Sequence, residues 1–89
     1  MSIHRYNAST DGNQKDIIDA LQSVGCRVYY IKQPVDLLVG FRGKNYLLEV
    51  KQSKAKTTPA QDRFFESWTG QHKIVRTPEE ALKAVGATS

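Results

Sequence analysis

Val35-Asp36-Leu37-Leu38-Val39-Gly40-Phe41 and Tyr46-Leu47-Leu48-Glu49-Val50-Lys51, joined by Arg42-Gly43-Lys44-Asn45, decide how this chain is read. Both flanks are rich in β-branched, leucine and aromatic residues, and the connection is turn chemistry, so the stretch predicts a β-hairpin. Two acidic residues interrupt the apolar runs. Asp is depleted in strands, and a carboxylate buried there without a partner is costly. If Arg42-Gly43 is a two-residue turn, Phe41 pairs with Lys44, and the same register sets Asp36 opposite Glu49. Like charges facing one another destabilise a hairpin, and a divalent cation between them reverses the sign of that interaction. Such a hard, oxygen-rich site suits Mg²⁺ or Mn²⁺. Strand alternation puts Lys51 on the face of Glu49, where its ammonium can hold a water nucleophile or offset charge developing on a phosphate. The plainer alternative is a surface salt bridge from Lys51 to Asp36 or Glu49.

Upstream, Ile17, Ile18, Leu21 and Val24 recur at helical spacing, which predicts an amphipathic helix over 12–24, with Asp11 as N-cap and Gly25 as the residue that ends it. Arg27-Val28-Tyr29-Tyr30-Ile31 reads as a strand, broken by Gln33-Pro34. Downstream, residues 52–57 are a polar, basic loop. Thr58-Pro59-Ala60-Gln61 is a capping box opening a helix through Phe64, Phe65 and Trp68 that stops at Gly70. Lys73-Ile74-Val75-Arg76 is a short strand. Thr77-Pro78-Glu79-Glu80 is a second capping box, opening a helix through Ala81, Leu82 and Val85 that ends at Gly86. The order α-β-β-β-α-β-α is that of an α/β domain, a mixed β-sheet flanked by helices. Residues 1–89 are read as a single domain with its core at about 11–86.

The chain has 89 residues, of which 39% are hydrophobic and 25% charged, proportions that exclude disorder, collagen and coiled coil. No apolar run is long enough for a transmembrane helix, and the polar start Met1-Ser2-Ile3-His4-Arg5 has no signal-peptide pattern. Cys26, the lone cysteine, can form neither an internal disulfide nor a structural zinc site. These features point to the cytoplasm and away from membranes. A net charge of +4 and a pI near 9.4 fit a polyanionic partner.

Pro34-Val35-Asp36 followed by Glu49-Val50-Lys51 resembles the signature of the PD-(D/E)XK nucleases, and the element order is similar to their restriction-endonuclease-like core. From Val35 to Gln61 the chain looks most like the VRR-NUC group, whose small stand-alone members occur in phages and prophages. The resemblance covers about residues 11–86. It implies a metal-dependent endonuclease that hydrolyses DNA phosphodiester bonds, acts on branched DNA such as four-way (Holliday) junctions, works as a homodimer and resides in a bacterial host cytoplasm. Carried over, Asp36 and Glu49 would be metal ligands with the Val50 carbonyl as a third. Lys51 would be the catalytic lysine, and Gln61 the auxiliary polar residue of the next helix. Val35 makes the motif P-x-D, and only the Asp does chemistry. Gln14 holds the place where the family's first helix often supplies a Glu. An amide can orient water but adds no charge, so a catalytically silent DNA-binding module is the alternative.

Lys54, Lys56 and Arg63 flank this site and are read as holding DNA phosphates. Tyr29, Tyr30, Phe64, Phe65 and Trp68 read as core or dimer interface. Phe64 and Trp68 share one side of a helix and Phe65 another, which predicts a homodimer with this helix or the first strand at its interface. His4 and His72 lack ligand spacing. Cys26 reads as a buried small hydrophobe, and Gly40 as a bulge or close approach in its strand.

Overall fold

In the computed structural model, which describes residues 12–52 and 54–88, the hairpin is the centre of a four-stranded sheet ordered β1-β2-β3-β4. The strands are β1 (Arg27–Tyr30), β2 (Leu37–Phe41), β3 (Lys44–Val50) and β4 (His72–Val75). The helices are α1 (Gly12–Ser23), α2 (Pro59–Ser67) and α3 (Pro78–Ala84). The sheet is mixed, as expected: β1, β2 and β3 are antiparallel, and β4 joins β3 in parallel. A parallel neighbour needs a crossover, which the segment containing α2 supplies.

The register is the one the turn chemistry requires, with Phe41 opposite Lys44 and Leu37 opposite Leu48. Arg42 (φ 53°) and Gly43 (φ 81°) are both left-handed, the geometry of the tight hairpin turn whose twist matches its strands. Lys44 and Asn45 therefore belong to β3, not to the turn. Gly40 pairs regularly with both Arg27 and Asn45, so it forms no bulge. The nearest atom a side chain there would meet is Asn45 Oδ1 at 3.9 Å, so it is no close approach either. β1 stops at Tyr30 and β2 starts at Leu37, because the chain between them bends.

One face of the sheet carries the core. Leu37, Val39 and Phe41 of β2, Leu48 and Val50 of β3, Val28 and Val75 bury against Ile17, Ile18 and Leu21 of α1, Ala81 within α3 and Val85 just after it. Cys26 lies in this cluster as a buried hydrophobe, and burial pushes its thiol pKa up. α1 ends in a paired motif in which Cys26 N–H bonds the Leu21 carbonyl and Gly25 N–H the Gln22 carbonyl, at 3.1 Å each. That turn carries Val24 off the helical face, so Val24 is 39% exposed rather than in the core. The expected N-cap, Asp11, lies outside the described residues, as does His4.

α2 begins with the expected box: Gln61 N–H bonds Thr58 Oγ1, and Thr58 N–H bonds Gln61 Oε1. It buries no residue. The second box is altered. Thr77 caps Glu80 N–H, but the Glu80 carboxylate accepts from Arg76 N–H at 2.7 Å, one residue before the cap. None of the described helices is long and apolar enough to cross a membrane.

Because the hairpin turn sets the register of everything after it, Gly43→Ala should cost about 1–2 kcal/mol, the price of a side chain in left-handed backbone. The measurement is the urea midpoint at constant m-value. An unmoved midpoint would show that the turn does not govern the hairpin.

Candidate active site

The bend between β1 and β2 delivers Asp36 to the end of the hairpin. Its carbonyl accepts N–H groups from Ile31 (2.8 Å) and Lys32 (3.3 Å), which fixes its main chain. Its carboxylate Oδ2 accepts the Val50 N–H at 2.9 Å. The backbone ladder of the hairpin thus ends at Leu37–Leu48, and a side chain makes the next bond.

Glu49 sits on β3 between Leu48 and Val50, which both face the core, so alternation turns it to the other face. It is only 4% exposed. Gln61 Nε2 donates to Glu49 Oε2 at 2.8 Å, and Lys51 Nζ stands 3.5 Å from the same oxygen. The pair is not a surface salt bridge: the side chains are 15% and 6% exposed. The Glu49 pKa is raised. Burial is the chief cause and the neighbouring charge of Asp36 the second, and together they outweigh the lowering by Lys51 and by the hydrogen bond from the Asp36 main chain.

Lys51 is set by main chain on two sides. Its N–H bonds the Val75 carbonyl at 3.1 Å, and Asn13 Nδ2 of α1 bonds its carbonyl at 2.8 Å. Arg76 then holds the loop that follows, with Nη1 donating to the carbonyls of Gln52 (2.7 Å) and Ala55 (2.8 Å). That loop leads to Thr58, whose cap places Gln61. Among the described residues no group of three or more His, Cys, Asp and Glu gathers. The two carboxylates still fit a hard divalent cation, since Mg²⁺ commonly takes one or two carboxylates and keeps its waters. Burial first and the charge of Asp36 second disfavour an ionised Glu49, and a bound cation would oppose both.

Among solved structures, the chain matches one titled "VRR_NUC domain" with a TM-score of 0.69, covering 85% of this chain and 92% of that one at 23% identity. The chain has the fold of a VRR_NUC domain. No protein-family model and no curated protein matches the sequence. On this VRR_NUC fold, Asp36, Glu49, Lys51 and Gln61 converge at one end of the hairpin, and Val50 joins them through its N–H. Gln14 is buried in the first turn of α1, next to Asn13. Lys54, Lys56 and Arg63 are exposed, the first two on the loop that Arg76 holds and the third on α2.

Tyr29, Tyr30, Phe64, Phe65 and Trp68 are not core. Tyr29 is 47% and Trp68 44% exposed, and Tyr30 is exposed as well. Phe64 stacks on Trp68 and Phe65 on His72, a cluster on α2 and the start of β4. Asn13 and Arg76 escaped the sequence reading. Both act on main-chain carbonyls distant in sequence, and such bonds leave no periodic or motif signal.

A raised folded-state pKa means that folding takes up a proton on Glu49. Its protonation stabilises the fold fully below the ordinary carboxylate value, and that contribution is lost as pH rises through the raised one. In EDTA, the stability of wild type relative to Glu49→Gln should fall over that window, leaving the variant ahead near neutrality. Urea unfolding across pH measures it, and parallel curves would show that Glu49 is not strained.

Proposed function

We propose that the chain is a divalent-metal-dependent nuclease that hydrolyses DNA phosphodiester bonds, structure-specific for branched DNA such as four-way junctions. The observation that supports it is the convergence of Lys51 and Gln61 on one oxygen of a buried Glu49 whose neighbour is Asp36. The VRR_NUC title of the similar structure supports the same reading.

Asp36, Glu49 and the Val50 carbonyl would hold Mg²⁺ or Mn²⁺. When bound, the ion would lower the pKa of a water and offset charge on the phosphate. The chain's own residues do the rest. Lys51, at 3.5 Å from Glu49, keeps donors for a nucleophilic water or for the phosphate oxygens. Gln61 fixes the rotamer of Glu49 through its 2.8 Å bond. Gln14 adds a neutral amide on the helix side and orients water without charge. Lys54, Lys56 and Arg63 hold phosphates on either side.

Lys51→Ala should abolish Mn²⁺-supported cleavage of a panel of duplex, flap, fork and four-way junction while DNA affinity stays within about threefold, as expected of a group whose interaction is made in the transition state. Asp36→Asn should lose Mn²⁺ binding by titration calorimetry. A Lys51 variant that cuts at half the wild-type rate, or equal Mn²⁺ binding by Asp36→Asn, would overturn the assignment.

The same proposal includes a homodimer. Phe64, Phe65 and Trp68 lie on a helix that buries no residue, and an aromatic patch of that kind is characteristic of an interface. A twofold pair would present two sites in opposed orientation to a symmetric junction. Light scattering at micromolar concentration should give twice the mass of the chain, and Trp68→Ala should shift it toward monomer. Monomer mass in the presence of a junction would remove this part.

A further inference from the structure

Beside the outer edge of β4 lies a cleft of about 620 Å³, lined by Lys73, Ile74, Val75 and Arg76 from the strand side and by Glu80, Lys83 and Ala84 from α3. We propose that this cleft is a second contact surface for nucleic acid, a track for the phosphodiester backbone as it leaves the Glu49 cluster. The inference rests on the nuclease reading of that cluster and adds where the rest of the substrate lies.

Charge is the first argument. The cleft has three cations and one acid. Glu80 accepts the neutral Arg76 N–H and keeps its charge, which leaves the cleft two cations in excess. Among the described residues, neither Lys73, Arg76 nor Lys83 forms an ion pair with a carboxylate. Uncompensated cations on both banks of a groove attract a polyanion.

Spacing is the second. Lys73 and Arg76 are three residues apart on extended chain, about 10 Å. Lys83 answers from the opposite bank. Cations distributed along both banks suit a chain of phosphates. Ile74, Val75 and Ala84 supply the apolar part of the lining.

Continuity is the third. Ile74 is the register neighbour of Glu49, and Val75 accepts the Lys51 N–H at 3.1 Å. The cleft therefore begins about one strand spacing, ~4.8 Å, from the strand that carries the carboxylate. Arg76 lines the cleft and also grips the loop bearing Lys54 and Lys56. Arg76 thus joins the basic loop to the cleft at the edge of the sheet.

The test is anisotropy of a fluorescein-labelled DNA junction in EDTA, across a salt series, on wild type, Lys73→Gln/Lys83→Gln and Lys44→Gln. Lys44 lies at the hairpin turn, the far end of β3 from Glu49, and controls for net charge. Each phosphate contact contributes about one unit to the slope of log K against log salt. The double variant should lose about two units and Lys44→Gln none, while the single-turnover rate at saturating junction stays at the wild-type value. Lys73→Glu, at an exposed position, should weaken binding further at low salt.

An unchanged slope in the double variant, or an equal loss in Lys44→Gln, would overturn the cleft. A fall in the saturated rate matching the fall in affinity would overturn its role as a binding surface distinct from the chemistry. A two-unit loss of slope in a protein that cuts no DNA with any divalent ion would uphold the cleft and overturn the nuclease reading.

Discussion

The hairpin holds two carboxylates together where electrostatics would separate them. Neither can swing away. Asp36 is pinned by its own carbonyl and by the Val50 N–H, and Glu49 lies between two residues that the core has fixed. Hydrophobic burial on one face of the sheet thereby imposes an unfavourable charge arrangement on the other. Lys51 offsets part of it, and burial together with the charge of Asp36 leaves the Glu49 pKa raised. The chemistry proposed for the site depends on this close placing of two carboxylates.

The supports of the site come from three directions. α1 reaches it through Asn13, β4 through the Val75 carbonyl, and the segment before α3 through Arg76. All three act on the backbone within or just after the Glu49-Val50-Lys51 run. A helix cap extends the chain of supports: Glu80 holds the Arg76 main chain while the Arg76 guanidinium holds the loop. The packed layer of α1 and α3 is therefore linked to the site by hydrogen bonds to main chain, not by packing of the functional side chains.

What sequence could reveal follows from the range of each interaction. The hairpin register was legible because two residues, Arg42 and Gly43, determine it locally. Thr58 and Gln61 were legible because a capping box is complete within four residues, and the nearness of Asp36 to Glu49 followed from the register, although the strand pairing itself ends at Leu37–Leu48. Val24 misled because helical periodicity continues past the point where a capping turn rotates the chain. Gly40 misled because a missing side chain in a strand need not mean a distorted backbone. The second capping box was half right: Thr77 caps as expected, but a glutamate can reach one residue further back, and only the fold decides which N–H it finds. The exposed aromatics carry the same hydrophobic signature as a core, and burial is settled by partners that composition does not name.

α2 buries none of its residues, yet Gln61 ties it to Glu49 and its far end carries Trp68, the only tryptophan in the chain, stacked on Phe64. A helix held in this way is sensitive to what happens at the carboxylate it touches. Any change in the company Glu49 keeps is passed along about two turns of helix to an indole already half in water. The molecule therefore carries its own optical reporter, and the emission of one ring offers a label-free view of the site.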